Sequence, residues 1–111
     1  GWRRIDGRAD FHSGNDYATP MGSPAYASAA GTVVFVGPLN RYGLTIVVKH
    51  PATPAPLFTL YGHLSRALVA KGDRVDEGQE IAKTGDSAGT REDPTARVRR
   101  AHLHHELLTR W

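Results

Sequence analysis

The chain has 111 residues, six histidines and no cysteine, so a disulfide framework and a thiolate metal site are excluded and any metal must be held by His, Asp or Glu. No apolar run approaches the roughly 20 residues that a helix needs to cross a bilayer, and no transmembrane segment is expected in this chain. Fourteen Lys and Arg against eleven Asp and Glu give a net charge of +3, which mildly favours polyanionic neighbours such as nucleic acid, wall polymers or headgroups without choosing among them.

The length suits one domain, 1–111, able to bury roughly two thirds of its unfolded surface. Because it starts at Gly1 rather than Met, it reads as a processed product or a cut fragment, leaving room for a regulatory segment outside it. Residues 1–10 form a lead-in. His12 and Asp16 then flank Ser13-Gly14-Asn15, residue types that favour a turn over a helix. The stretches Ala25–Gly31, Thr32–Val36, Leu44–Val48 and Leu57–Tyr61 are β-branched, aromatic or small-residue runs bounded by Gly, Pro and Asn, and predict strands. Between Val36 and Leu44 a Gly-Pro-Leu-Asn-Arg-Tyr-Gly segment reads as a hairpin connection, and Pro51, Pro54 and Pro56 form a stiff surface loop.

A trace of helical turn is confined to Leu64–Leu68. Gly72 and Gly78 mark tight turns before a further strand, Glu80–Thr84. Gly22–Ala25 and Gly72–Val75 each precede a turn and a strand, a faint echo of two related β units. The polar stretch 86–101 reads as a surface loop. It contains the densest basic run, Arg97–Arg100, which follows Pro94 rather than lying on a recognition helix, so no specific nucleic-acid partner is expected. The class is all-β, mainly antiparallel.

His102-Leu-His-His-Glu106 carries the chemistry. In a strand His102, His104 and Glu106 share one face and Leu103, His105 and Leu107 the other; in a helix residues two apart lie about 200° apart, and one site could not receive both imidazoles. The strand reading is favoured. Alone, an H-x-H pair is more often structural, an Asp in a turn more often caps backbone N–H groups, and a His beside Tyr61, such as His63, is more often a hydrogen-bonded framework residue. Jointly, two imidazoles and one carboxylate make a three-ligand set that leaves a fourth position open, as in many catalytic zinc sites.

His12-x-x-x-Asp16, Tyr61-Gly-His63-Leu64 and His102-Leu-His104, in that order, resemble the signature of the lysostaphin-type (LytM-like) zinc metallopeptidases, which cut peptide bonds in bacterial peptidoglycan. The frame agrees as well: TPMGSPAYASAAGTVVFVG, YGLTIVVKH and KGDRVDEGQEIAKTGDSAG stand between the motifs. The resemblance implies Zn2+ held by His12, Asp16 and His104, with His63 and His102 as the two catalytic histidines that are not ligands. It further implies an open peptide-binding groove on a barrel-sandwich-like, duplicated hybrid fold, a peptidoglycan peptide as substrate, and an extracytoplasmic or cell-envelope location. Within such a site one task is to deprotonate the attacking water, read here for His102, and the other to stabilise the oxyanion or protonate the leaving amine, read for His63; the sequence does not assign the two roles separately, and histidine suits both with a pKa of about 6.5.

The chain departs from the family pattern in places. His105 stands where an aromatic residue is usual, and by alternation it faces away from the metal. His50 reads as structural. Glu106 lies on the ligand face, where it either accepts a hydrogen bond from an imidazole or makes an ordinary strand salt bridge. The 86–101 link is longer than usual. Two rivals weigh against the enzyme: a non-catalytic wall-binding module or activator of another wall hydrolase, which usually lacks some of these five residues, and a biotin- or lipoyl-type carrier, which needs a lysine at an exposed hairpin tip that Lys49, Lys71 and Lys83 do not supply.

Overall fold

The computed structural model describes the backbone of residues 12–18, 20–87 and 97–111, and the side chains of 20–87 and 103–111. The strands are β1 (His12–Ala18), β2 (Pro24–Tyr26), β3 (Gly31–Leu39), β4 (Gly43–His50), β5 (Leu57–Ala67), β6 (Arg74–Val75), β7 (Glu80–Ser87) and β8 (Arg97–Leu108). They form one antiparallel sheet in the order β1-β8-β7-β5-β4-β3-β6, with β2 on β7 and a further pairing of β8 with β5. The described residues contain no helix.

The alternation of side chains along β4 and β5 sorts the core onto the two faces of the sheet. On one face Ile46, Val48, Tyr61 and Leu64 pack with Val33, Val75 and Ile81; on the other Val47, Leu60 and Leu108 pack with Tyr42, Phe58 and Trp111. Ile46, Val47, Val48, Leu64 and Ile81 are fully enclosed, and each such side chain contributes about 1.5–3 kcal/mol relative to its exposed state. Both faces of the central strands are therefore filled, which explains their near-continuous apolar runs. Gly43, at φ 63°, is required twice over: its backbone is left-handed, and a Cβ there would overlap the Ser87 carbonyl.

The hairpin over 40–42, the exposed proline loop after His50 and the turns at Gly72 and Gly78 stand where the sequence predicts them. Several boundaries differ. His12–Asp16 is a strand rather than a turn, because β8 offers a complete ladder to its backbone groups, and that outweighs the local preference of Ser13-Gly14-Asn15. Leu64–Leu68 is no helical turn, since β5 runs on to Ala67 by pairing with β7. The Ala25–Gly31 strand shrinks to β2, and Ser28–Ala30 bend into β3. Both ends of the 86–101 loop belong to strands, β7 reaching Ser87 and β8 starting at Arg97, so the basic run Arg97–Arg100 lies on a strand. The lead-in 1–10 and the centre of that loop, 88–96, lie outside the described residues.

Candidate functional site

Strand β8 has β1 on one side and β5 and β7 on the other, and this brings the distant sequence motifs together. Asp16 is the register partner of His104, and Gly62 pairs with His104 from the opposite side. Ala18, His102 and Gly85 make the next such row across β1, β8 and β7. His12 pairs with Leu108, four positions along β1 from Asp16, and positions four apart belong to one face of a pleated strand. The side chains of His12, Asp16 and His102 lie outside the described residues; their backbones stand on β1 and β8, and β8 in turn pairs with the strand that carries His63.

The strand predicted over Leu57–Tyr61 runs on to Ala67, so His63 lies inside it, at φ 57°. For a residue other than Gly this left-handed conformation costs about 1–2 kcal/mol, and a β-bulge is the usual device for re-aiming one side chain. Such a shift of register is present on both flanks, between Leu44 and Ile46 of β4 and between Leu64 and Arg66 against β7. Two contacts hold the residue there. Its backbone N–H donates to the Tyr42 carbonyl at 2.5 Å, and its ring Nδ1 lies 2.6 Å from the Ser87 carbonyl. A carbonyl only accepts, so Nδ1 carries the proton and a neutral His63 has its acceptor lone pair at Nε2.

The His104 ring sits edge-on to that of His63, with centroids 6.0 Å apart, and tilted over Tyr42 at 5.1 Å. It is 9% exposed and His63 is 5% exposed. Behind it stands Glu106, wholly buried. The Glu106 carboxylate oxygen Oε1 contacts His104 Nε2 and accepts a hydrogen bond from the Tyr42 hydroxyl at 3.2 Å. The shared face of His104 and Glu106, inferred from alternation, is thus present, and the imidazole is a partner of the Glu106 carboxylate.

The remaining histidines have other duties. His50 Nδ1 donates to the Ala30 carbonyl at 2.8 Å and Nε2 is 2.7 Å from Thr59 Oγ1, so both ring nitrogens are committed to the framework. Thr59 Oγ1 is in turn hydrogen-bonded to the Tyr61 hydroxyl at 3.1 Å, which receives the Ser28 N–H at 3.0 Å. His105 faces away from His104, as alternation requires, and packs on the Tyr61 ring at 5.2 Å. Burial lowers the pKa of His105 below the ordinary histidine value, and the neighbouring His104 lowers it further.

Tyr42 and Ser87 escape a reading of the sequence. Tyr42 looks like a hairpin residue and Ser87 like the start of a polar loop, and their contacts to Glu106 and His63 span 64 and 24 residues; no local pattern signals them. A cleft of about 480 Å³ lined by Thr32, Val34, Lys49 and Arg74 lies at the opposite end of β4 from His63 and has no His or carboxylate in its lining. Among the described residues no three His, Asp or Glu side chains converge as a metal site. The donors placed in register are imidazoles and a carboxylate without thiolates, a set that suits zinc.

Comparison with family sequence patterns matches residues 10–110 to Peptidase family M23. The chain is 39% identical over 99 residues to the peptidoglycan DD-endopeptidase ShyA of Vibrio cholerae, covering 89% of this chain and 20% of that protein. It therefore spans about a fifth of that relative's length. Among solved structures, a zinc-containing peptidase from Vibrio cholerae superposes with a TM-score of 0.71 at 37% identity, covering 87% of this chain and 26% of the other. The catalytic domain of the antimicrobial peptidase lysostaphin from Staphylococcus simulans gives 0.72 at 28% identity, covering 96% and 73%.

Proposed function

Because the chain belongs to peptidase family M23, we propose that it is a zinc-dependent endopeptidase that hydrolyses peptide bonds in bacterial peptidoglycan, acting outside the cytoplasm. The observation that carries this reading is the row Asp16–His104–Gly62 across β1, β8 and β5, with His63 adjacent to Gly62. Zinc would be held by His12, Asp16 and His104, and when bound it supplies a Lewis acid for the scissile carbonyl and brings the pKa of water toward about 7.

The protein's own groups do the rest. His63, with its proton on Nδ1 fixed by the Ser87 carbonyl, offers Nε2 to a proton from the reacting groups and returns it to the leaving amine; while protonated, the same atom stabilises a developing oxyanion. His102 takes the proton from the attacking water. The left-handed turn at His63 is the backbone strain that a reactive position tolerates, over-determined here by the Tyr42 carbonyl and by Ser87. Similarity to a peptidoglycan DD-endopeptidase supports the substrate class.

The test is incubation of the purified protein, with and without a chelator, with peptidoglycans of differing bridge chemistry, followed by mass analysis of the soluble fragments. Chelator-sensitive release of peptide fragments is the expected result. A polymer left intact under all conditions by a protein that holds zinc contradicts it and favours a wall-binding or activator role.

A further inference from the structure

A fully buried carboxylate is expensive unless hydrogen-bond donors surround it. Glu106 is wholly enclosed, and its strand neighbours on the same face, Leu60 and Leu108, are apolar. A leucine would pack here at lower cost, so the carboxylate needs another reason. Its contacts supply one: Oε1 meets both the Tyr42 hydroxyl and His104 Nε2, while the Tyr42 ring lies against the His104 ring.

We propose that Glu106, steadied by Tyr42, is a positioning residue that holds His104 in the Nε2–H tautomer and so makes Nδ1 the atom by which His104 binds the metal. The inference rests on the zinc reading of His104 made above. A carboxylate accepts and does not donate, so the imidazole nitrogen that faces it carries the proton. The other nitrogen then bears the lone pair, and the nearby negative charge raises its basicity as a ligand. The Tyr42 hydroxyl keeps the carboxylate from swinging away, and its ring fixes the plane of the imidazole. Two residues that the reaction never touches thereby decide which atom coordinates and at what angle.

Zinc affinity, measured by competition with a chromophoric chelator, tests this on the wild type and on Glu106→Gln, Glu106→Asp and Tyr42→Phe. Glu106→Gln keeps size and an acceptor oxygen but loses the charge, and it is expected to weaken zinc binding by about 10–100-fold, with Glu106→Asp recovering part of the loss and Tyr42→Phe costing less than Glu106→Gln. Long-range nitrogen–proton NMR of the histidine rings in the wild type is independent of any variant's folding. It should find the His104 proton on Nε2 before zinc is added and the metal on Nδ1 afterwards. Zinc held as tightly by Glu106→Gln as by wild type, or coordination through Nε2, overturns the inference while leaving His104 a ligand. A wild type that binds no zinc, or a His104→Ala protein that binds it unchanged, overturns the metal reading itself.

Discussion

On one face of β5, His50, Thr59, Tyr61 and Ser28 form a chain in which both His50 nitrogens and both hydroxyls find partners inside the framework. On the other face His104 gives one nitrogen to Glu106, and His63 gives one to the Ser87 carbonyl. Both arrangements are buried and histidine-centred, yet in the first both nitrogens of one ring end on framework groups, whereas in the second a carboxylate and a backbone carbonyl set where the proton sits on two neighbouring rings. A ring that ends on framework groups stabilises; a ring whose proton is placed by a carboxylate or a carbonyl is oriented for chemistry. The difference explains why His50, embedded in a family-like VVKH stretch, is framework, while His104, equally buried, suits a metal.

The contrast is broken most severely by His104→Ala, expected to lose zinc and hydrolysis together by more than about a thousandfold, as metal analysis and a turnover assay on the same sample will register. His63→Asn follows. Asparagine tolerates the left-handed backbone better than most residues, so the fold and zinc content should hold while turnover drops by about 10²–10⁴-fold. On the His50 face, His50→Ala should cost about 1–3 kcal/mol in denaturant unfolding, because the Thr59 hydroxyl and the Ala30 carbonyl each lose their imidazole partner, with zinc affinity unchanged.

A smaller effect concerns His105. Its folded pKa lies below the unfolded value because of burial and then of His104, so the unfolded chain binds the extra proton first and stability is lost as pH falls below about 6.5, the ordinary histidine value. In metal-free protein, His105→Tyr should flatten the decline in melting temperature between neutral and mildly acidic pH. A wild type and variant that decline in parallel would remove that assignment.

The His63 and His104 side of this comparison was harder to read from sequence than the His50 side. Strands β3, β4 and β5 announce themselves through β-branched runs, and the alternation of His102, His104 and Glu106 follows once β8 is taken as a strand. β1 does not announce itself: Ser13-Gly14-Asn15 has turn chemistry, and only the ladder offered by β8 makes it extended. The interior position of His63 is likewise invisible, since its bulge arises from register against β4 and β7. Tyr42 and Ser87 reach the site across turns and strands that no window of neighbouring residues contains. What was legible is what depends on period and motif; what was not depends on pairing between distant segments.

The central claim is that the two ends of the chain meet so that His12, Asp16 and His104 hold one ion beside His63 and His102. Metal analysis after equilibrium with limiting zinc, run on the wild type and on the alanine variant of each of these five residues, tests it directly. One equivalent of zinc in the wild type, lost in the His12, Asp16 and His104 variants and kept in the His63 and His102 variants, is the expected pattern; full zinc retained without the Asp16 carboxylate or without the His104 ring would contradict it.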